Sequence, residues 1–272
     1  MSDRARSFES VAAEYERHRP EYPEEALRWA AEQLGLAPGA RVLDVGAGTG
    51  KLTRGLVALG FEVVAVEPGA PMLAQLRVAV PEAEALEGPA EAIPLPDANV
   101  EAAFAGQAFH WFDRLRALSE LHRVIKSGGG LVLLWNWWNE RDPLQRELGE
   151  LIGYAGREPY RNEELPGEPW FREVGRTVVE TLEESSPDAL VGYLSTASAF
   201  LTAEPEEREE SLQAVHELAS RYGERFPLPR LTYVFAFERL SCPAGPRACG
   251  PRARRSRPCG AGRRATAPPD RR

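Results

Sequence analysis

Cysteine, methionine and histidine are scarce in this 272-residue chain, at three, two and four copies. All three cysteines (Cys242, Cys249, Cys259) lie beyond Leu240, so the body cannot depend on disulfides. Their spacing has no C-x-x-C and no neighbouring histidine, which excludes the usual zinc patterns, and no metal site is expected. No Ser-His-Asp set is visible either. Long apolar runs are also missing: the strongest, Leu131 to Trp135, is far too short to cross a bilayer. The start, MSDRARSFES, is charged and lacks an apolar core of the secretory type, so the expected address is the cytoplasm and no membrane partner is expected.

Basic charge is missing from the body. The chain carries 33 Lys and Arg against 41 Asp and Glu, a net of −8, but nine arginines and only one acidic residue fall in 241–272. That leaves 24 basic against 40 acidic side chains in residues 1–240. An acidic globule is a poor nucleic-acid binder, since phosphate contacts need a basic face. In the tail, 25 of 32 residues are Ala, Arg, Gly or Pro, and none is Val, Ile, Leu, Met or aromatic. Such a segment cannot form a core and is expected to be a disordered tail, with an arm for an anionic surface as the alternative.

What is present is a regular alternation. Phe8, Val11, Ala12 and Tyr15 share one helical face, and Leu27, Ala30, Ala31 and Leu34 another, separated by Pro20 and Pro23. RVLDV (41–45) and EVVAV (62–66) read as buried strands, each followed by a helix, 51–59 and 71–80. Residues 83–87 form a weaker strand, 100–105 a fourth, and 131–135 a fifth. Between the last two, Asp113 caps a helix through Lys126, which Gly128 to Gly130 end. Beyond 136 the rhythm breaks: a strand over 176–183, helices over 188–223 and a strand over 231–239 suggest an antiparallel pair added at the sheet edge. The expected class is α/β, a doubly wound Rossmann-like sheet with that terminal pair and helices inserted after strand five. Residues 1–36 are expected as a helical lid, 37–240 as the main domain with a substrate wall over 136–230, and 241–272 as the tail.

The strongest motif is VLDVGAGTG (42–50), a buried strand running into alternating glycines and then a helix whose free N–H groups favour a ligand anion or dipole. Glu67 stands twenty-one residues after Gly46 at the end of the second strand, where a carboxylate can accept from both hydroxyls of an adenosine ribose. This much also suits a dinucleotide site, but the third glycine of G-x-G-x-x-G would fall on Lys51. Asp44 is a further departure, because a buried carboxylate is costly unless it is hydrogen-bonded or faces a cation. It can meet a ligand ammonium or simply brace the loop.

VLDVGAGTG, VVAVEP, EGPAEAIPLPD, AFHWF and the glycine turn before LVLLWN resemble a class I S-adenosylmethionine-dependent methyltransferase. They are most similar to the small-molecule branch related to the ubiquinone/menaquinone and trans-aconitate methyltransferases. The likeness is close over about residues 8–136 and looser to 239. It implies S-adenosylmethionine as cofactor and a small-molecule methyl acceptor. Gly46, Ala47 and Gly48 would line its methionine part, with Asp44 near the amino group and Glu67 on the ribose. Pro68 and Met72 would flank the adenine, with Ala90 and Glu91 at its edge; Pro89 stands where the family often has Asp. Gln107 would lie by the methyl. Tyr15, Arg19 and Tyr22 match a Y-x-x-x-R-P-x-Y segment that folds over the cofactor, with Tyr22 toward the acceptor and Arg19 either a carboxylate clamp or a solvated arginine.

Trp111, Trp135, Trp137 and Trp138 cluster near the carboxyl ends of strands four and five, and Trp111 and Trp135 are expected at the acceptor or in packing. His110 is the one histidine expected near the methyl, as a general base or as a structural residue, while His18, His122 and His216 read as surface positions. The expected function is methyl transfer to a small molecule. The rivals are an NAD-dependent oxidoreductase and a non-catalytic subunit that binds S-adenosylmethionine.

Overall fold

Proline and glycine punctuation cuts the chain into short elements, and each carries an apolar stripe of the period its geometry needs. In the computed structural model the described residues are 11–157, 160 and 165–241, so Phe8 and residues 242–272 lie outside them. Two helices come first, α1 (Ala12–His18) and α2 (Glu24–Gln33). The alternating part follows as β1 (Arg41–Val45), α3 (Lys51–Ala58), β2 (Glu62–Glu67), α4 (Ala70–Ala79), β3 (Glu84–Glu87), β4 (Val100–Gly106), α5 (Arg114–Val124) and β5 (Ile125–Trp138). Then come α6 (Pro143–Leu151), β6 (Phe171–Ser185), α7 (Pro187–Ser195), α8 (Ser198–Leu201), α9 (Pro205–Ser220) and β7 (Phe226–Arg239).

The strands form one seven-stranded sheet in the order β3-β2-β1-β4-β5-β7-β6. Strands β1 to β5 pair in parallel, and β7 runs antiparallel to both β5 and β6. This is the Rossmann-like sheet with a terminal antiparallel pair. Chain order reverses between β1 and β4, where Asp44 lies beside Phe104, so the carboxyl ends of these two strands open a crevice.

Strand alternation sends one residue set to each face. Leu43, Val66, Ala103 and Leu133 pack under Leu118 and Leu121 of α5. On the other face Val42, Phe104 and Val132 pack under Leu27 of α2 and Leu56 of α3. Burying each Leu or Phe contributes about 1.5–3 kcal/mol, so both layers are strongly held. A separate apolar cluster joins α6, α7 and α9 through Leu148, Leu194, Val215 and Leu218. It makes the inserted helices one body above the end of the sheet.

Several boundaries differ from the sequence pattern for tertiary reasons. The helix before β5 ends at Val124, and Gly128 (φ +81°), Gly129 and Gly130 all belong to β5 rather than to a helix stop. A Cβ on Gly129 would collide with the Glu101 carbonyl, and one on Gly130 with that of Phe237, so close strand packing selects glycine there. Strands β6 and β7 extend to 15 and 14 residues because each supplies the other's hydrogen bonds. The helical span 188–223 resolves into three helices. His122 is buried, not superficial: its Nε2 lies 2.8 Å from the Leu240 carbonyl, and burial lowers its pKa.

Candidate active site

At the end of β1 the chain must reverse within a few residues, and the glycines permit it. Gly46 (φ +69°) and Gly48 (φ +58°) both occupy the left-handed region. They differ in what surrounds them. A Cβ on Gly46 would lie 2.7 Å from the Ala108 Cβ and 3.2 Å from the Phe112 ring, whereas one on Gly48 would meet nothing within 4 Å. The first glycine is demanded by the protein's own packing, and the second borders open space.

Glu67 ends β2 beside this loop. Its Oε2 accepts from Gly48 N–H at 2.9 Å and its Oε1 from Gly69 N–H at 2.8 Å. These two backbone donors fix the direction in which the carboxylate points. The cleft there has Gly46, Gly48, Glu67, Pro68 and Met72 on one side, and Ala90, Glu91, Gln107 and Trp111 on the other, with Tyr15 across the opening. Glu91 also accepts from Asp113 N–H at 2.7 Å, which ties the cleft's far edge to the start of α5.

Asp44 does not reach this surface. It is buried beneath the loop, where its Oδ2 accepts from the Thr53 hydroxyl at 2.6 Å and its Oδ1 has no partner among the described residues. Burial, opposed by the Thr53 bond and helped by nearby Glu67, pushes its pKa up to about 7. Ala47 turns away as well and packs with Ala65 and Leu76.

A second chamber adjoins the cleft, and Tyr15, Gln107 and Trp111 line both. Gln107 directly follows β4 at φ +55°, a strained value for a residue with a side chain. Two bonds hold it there: its N–H donates to Leu134 O at 2.9 Å, and its Nε2 to Asn136 O at 2.6 Å. The chamber walls are Trp137 and Trp138 from β5, Tyr154 and Tyr160 beyond α6, and Tyr193, Leu194 and Phe200 from α7 and α8. No local motif marks these last residues, which the inserted helices bring together only by folding.

Besides Asp44 and Ala47, four expected positions lie away from the cleft. Arg19 lines the second chamber, where Nε and Nη2 donate to Thr196 Oγ1 and O at 3.0 and 2.8 Å. Tyr22 lines neither cavity; it fills the space that a Gly106 side chain would take and packs among the α2 and α3 residues, because close packing under β4 claims its ring. Trp135 is buried in the core against Phe235, and its indole N–H reaches His110 Nδ1 at 3.4 Å. His110 is exposed and borders both the second chamber and a third cavity behind it. Desolvation by the side chains around it lowers its pKa to about 4. Among the described residues no cluster of three or more His, Cys, Asp or Glu has metal-binding geometry, and no helix is long and apolar enough to cross a membrane.

The family described as a methyltransferase domain matches residues 43–133, from inside β1 to the middle of β5. An uncharacterized methyltransferase of Mycobacterium bovis is 44% identical over 81% of this chain and 88% of its own length. One of Schizosaccharomyces pombe is 30% identical over 78% and 87%. A structure of a putative type II methyltransferase from Anaeromyxobacter dehalogenans superposes with a TM-score of 0.65, at 28% identity over 81% of this chain and 97% of that one. The chain belongs to the class I, S-adenosylmethionine-dependent methyltransferases.

Proposed function

We propose that the protein binds S-adenosylmethionine in the glycine-lined cleft and transfers its methyl group to a small molecule held in the second chamber. The observation that carries this reading is the meeting of the two spaces at Gln107, between a ribose-competent carboxylate and an aromatic-walled pocket. The residues present suit the donor. Glu67 is oriented to accept from ribose hydroxyls, and Gly48 leaves room for it. Met72 and Pro68 offer a polarizable and a flat surface for adenine, with Ala90 and Glu91 at its edge. When bound, the donor supplies an already activated methyl on a sulfonium.

The chain's own part is orientation and exclusion of water. Strained Gln107 stands at the junction, and Tyr15, Trp111 and the inserted helices close around it. A dinucleotide is a poorer fit, since Lys51 replaces the third glycine and its Nζ lies 3.0 Å from Glu21 of the N-terminal segment. Calorimetry should find binding of S-adenosylmethionine and S-adenosylhomocysteine and none of NAD. Glu67→Ala, which loses two charge-assisted hydrogen bonds of about 1.5–3 kcal/mol each, should weaken binding at least about a hundredfold. Wild-type affinity in that variant would refute the ribose role. Absence of label transfer from a methyl-labelled donor to any metabolite in an extract would favour a non-catalytic binding subunit.

A further inference from the structure

Asn136, near the carboxyl end of β5, is 6% exposed and touches three distant parts of the chain. Its main-chain oxygen accepts from Gln107 Nε2 at 2.6 Å. Its Nδ2 lies 3.3 Å from Glu21 O, and its Oδ1 lies 2.7 Å from the Thr232 hydroxyl of β7. The amide can face only one way. A carbonyl only accepts, so the NH₂ group must point at Glu21, and the oxygen left toward Thr232 must accept from the hydroxyl. Thr232 is 1% exposed and pairs with Asn136 across the β5–β7 ladder, so it orients the amide from a fixed position.

Glu21 lies between α1 and α2, and its carboxylate is bound by Lys51 Nζ at 3.0 Å and by the Arg54 guanidinium. Arg54 also reaches Glu16 of α1 at 2.7 Å. Lys51, the residue that replaces a third glycine, therefore joins Arg54 in tying the N-terminal segment to α3 through side chains. Asn136 ties the backbone of the same segment to β5. Ion pairs at partly exposed positions are screened by water and salt, whereas a hydrogen bond from a buried amide is not. What the segment carries gives this second tie its importance. Tyr15 borders both cavities, and Arg19 lines the second chamber and donates to Thr196.

We propose that Asn136 is a positioning residue for methyl transfer. Its main chain sets Gln107 where the two cavities meet, and its side chain sets the N-terminal segment that brings Tyr15 to the same place. Both sides of the meeting point are thus referenced to one buried residue, and their spacing does not depend on the screened ion pairs alone. The inference rests on the methyl-transfer reading and adds to it a residue that acts through Gln107 and Tyr15.

Asn136→Asp keeps the side chain's size, the acceptor for Thr232 and the main-chain contact with Gln107, but an ionised carboxylate cannot donate to Glu21 O. At about pH 8 it should speed release of S-adenosylhomocysteine, read by stopped flow, at least about tenfold over wild type. Burial raises the pKa of such a carboxyl, and its protonated form again offers one donor and one acceptor. The ratio of variant to wild-type release rates should therefore fall toward one as the pH is lowered to about 5.5, a reversal that general loosening of the fold would not show. Asn136→Ala loses the donor at every pH and should release faster at both, and it decides the matter by itself if the aspartate variant does not fold. In the ligand-free protein at about pH 8, trypsin should cut after Arg17 of α1 several-fold faster in either variant, with the product identified by mass. An unchanged release rate or an unchanged cleavage rate at that pH overturns the proposal, as does an aspartate variant whose ratio stays high in acid. Failure of the wild type to bind S-adenosylhomocysteine refutes the methyl-transfer reading beneath it, while the cleavage rates still test the anchoring.

Discussion

Replacing Gly46 and Gly48 separately by alanine should separate folding stability from cofactor binding. Both residues sit at positive φ, and a left-handed backbone costs an L-residue about 1–2 kcal/mol. For Gly48 that is the whole expected cost, because its new methyl would meet no protein atom within 4 Å. For Gly46 the methyl would arrive 2.7 Å from the Ala108 Cβ, with the Phe112 ring behind it at 3.2 Å. Relieving such an overlap costs about 1–3 kcal/mol more, since Ala108 has no flexible end that can swing away. At about 2–4 °C per kcal/mol for a domain of this size, Gly48→Ala should lower Tm by about 2–8 °C and Gly46→Ala by about 4–20 °C. Binding should follow a different order. The Gly48 methyl would project into the cleft beside Glu67 and should reduce affinity for S-adenosylhomocysteine at least about tenfold even where the protein is fully folded. Differential scanning fluorimetry and calorimetry on the two variants decide it. Wild-type affinity in Gly48→Ala would refute the assignment of the cleft, and an unchanged Tm in Gly46→Ala would refute the packing argument.

The buried Asp44 predicts a pH signature. With its pKa raised from an ordinary 3.8 to about 7, the folded state holds a proton that the unfolded chain has lost, so stability is complete below about pH 4 and falls as pH rises toward 7. Asp44→Asn should remove that loss, gaining up to about 4 kcal/mol at pH 8 and almost nothing near pH 4 in urea unfolding. Equal effects at both pH values would refute the shift. If the Asp44 carboxylate meets the cofactor's ammonium, the same variant should bind S-adenosylhomocysteine more weakly, which calorimetry will read. At the other end of the chain, stopping after Ser241 should leave Tm and cofactor affinity unchanged, because the deleted sequence has no large apolar side chain. Stopping after Glu238 should lower Tm, since it removes the Leu240 N–H bond to Trp170 O and the carbonyl that His122 contacts.

The parts of this protein legible in its sequence are those in which the relevant atoms are close along the chain. Strand β1, its glycine loop and α3 follow one another directly, and Glu67 reaches that loop because β2 pairs with β1 in parallel, one short helix later. Local pattern therefore revealed the doubly wound sheet and a cleft in which ten of the sixteen anticipated positions do meet. Asp113 was recognisable as a helix cap for the same reason: its partner, Arg116 N–H, is only three residues away.

Tertiary structure alone decided the rest. The second chamber draws on Arg19, Gln107, Trp138, Tyr193 and Phe200, which share no period and no motif and converge only when α6, α7 and α9 pack on one another. Tyr22 belongs to the same Y-x-x-x-R-P-x-Y segment as Arg19, yet the demand for close packing under Gly106 takes it out of both cavities. The protonation pattern of His110 was equally hidden. An isolated histidine suggests a base near neutral pH, but a tryptophan 25 residues away claims its lone pair, and desolvation lowers its basicity. Local sequence shows where strands end and which residues can bend; which side chain finds which partner depends on packing between segments far apart in the chain.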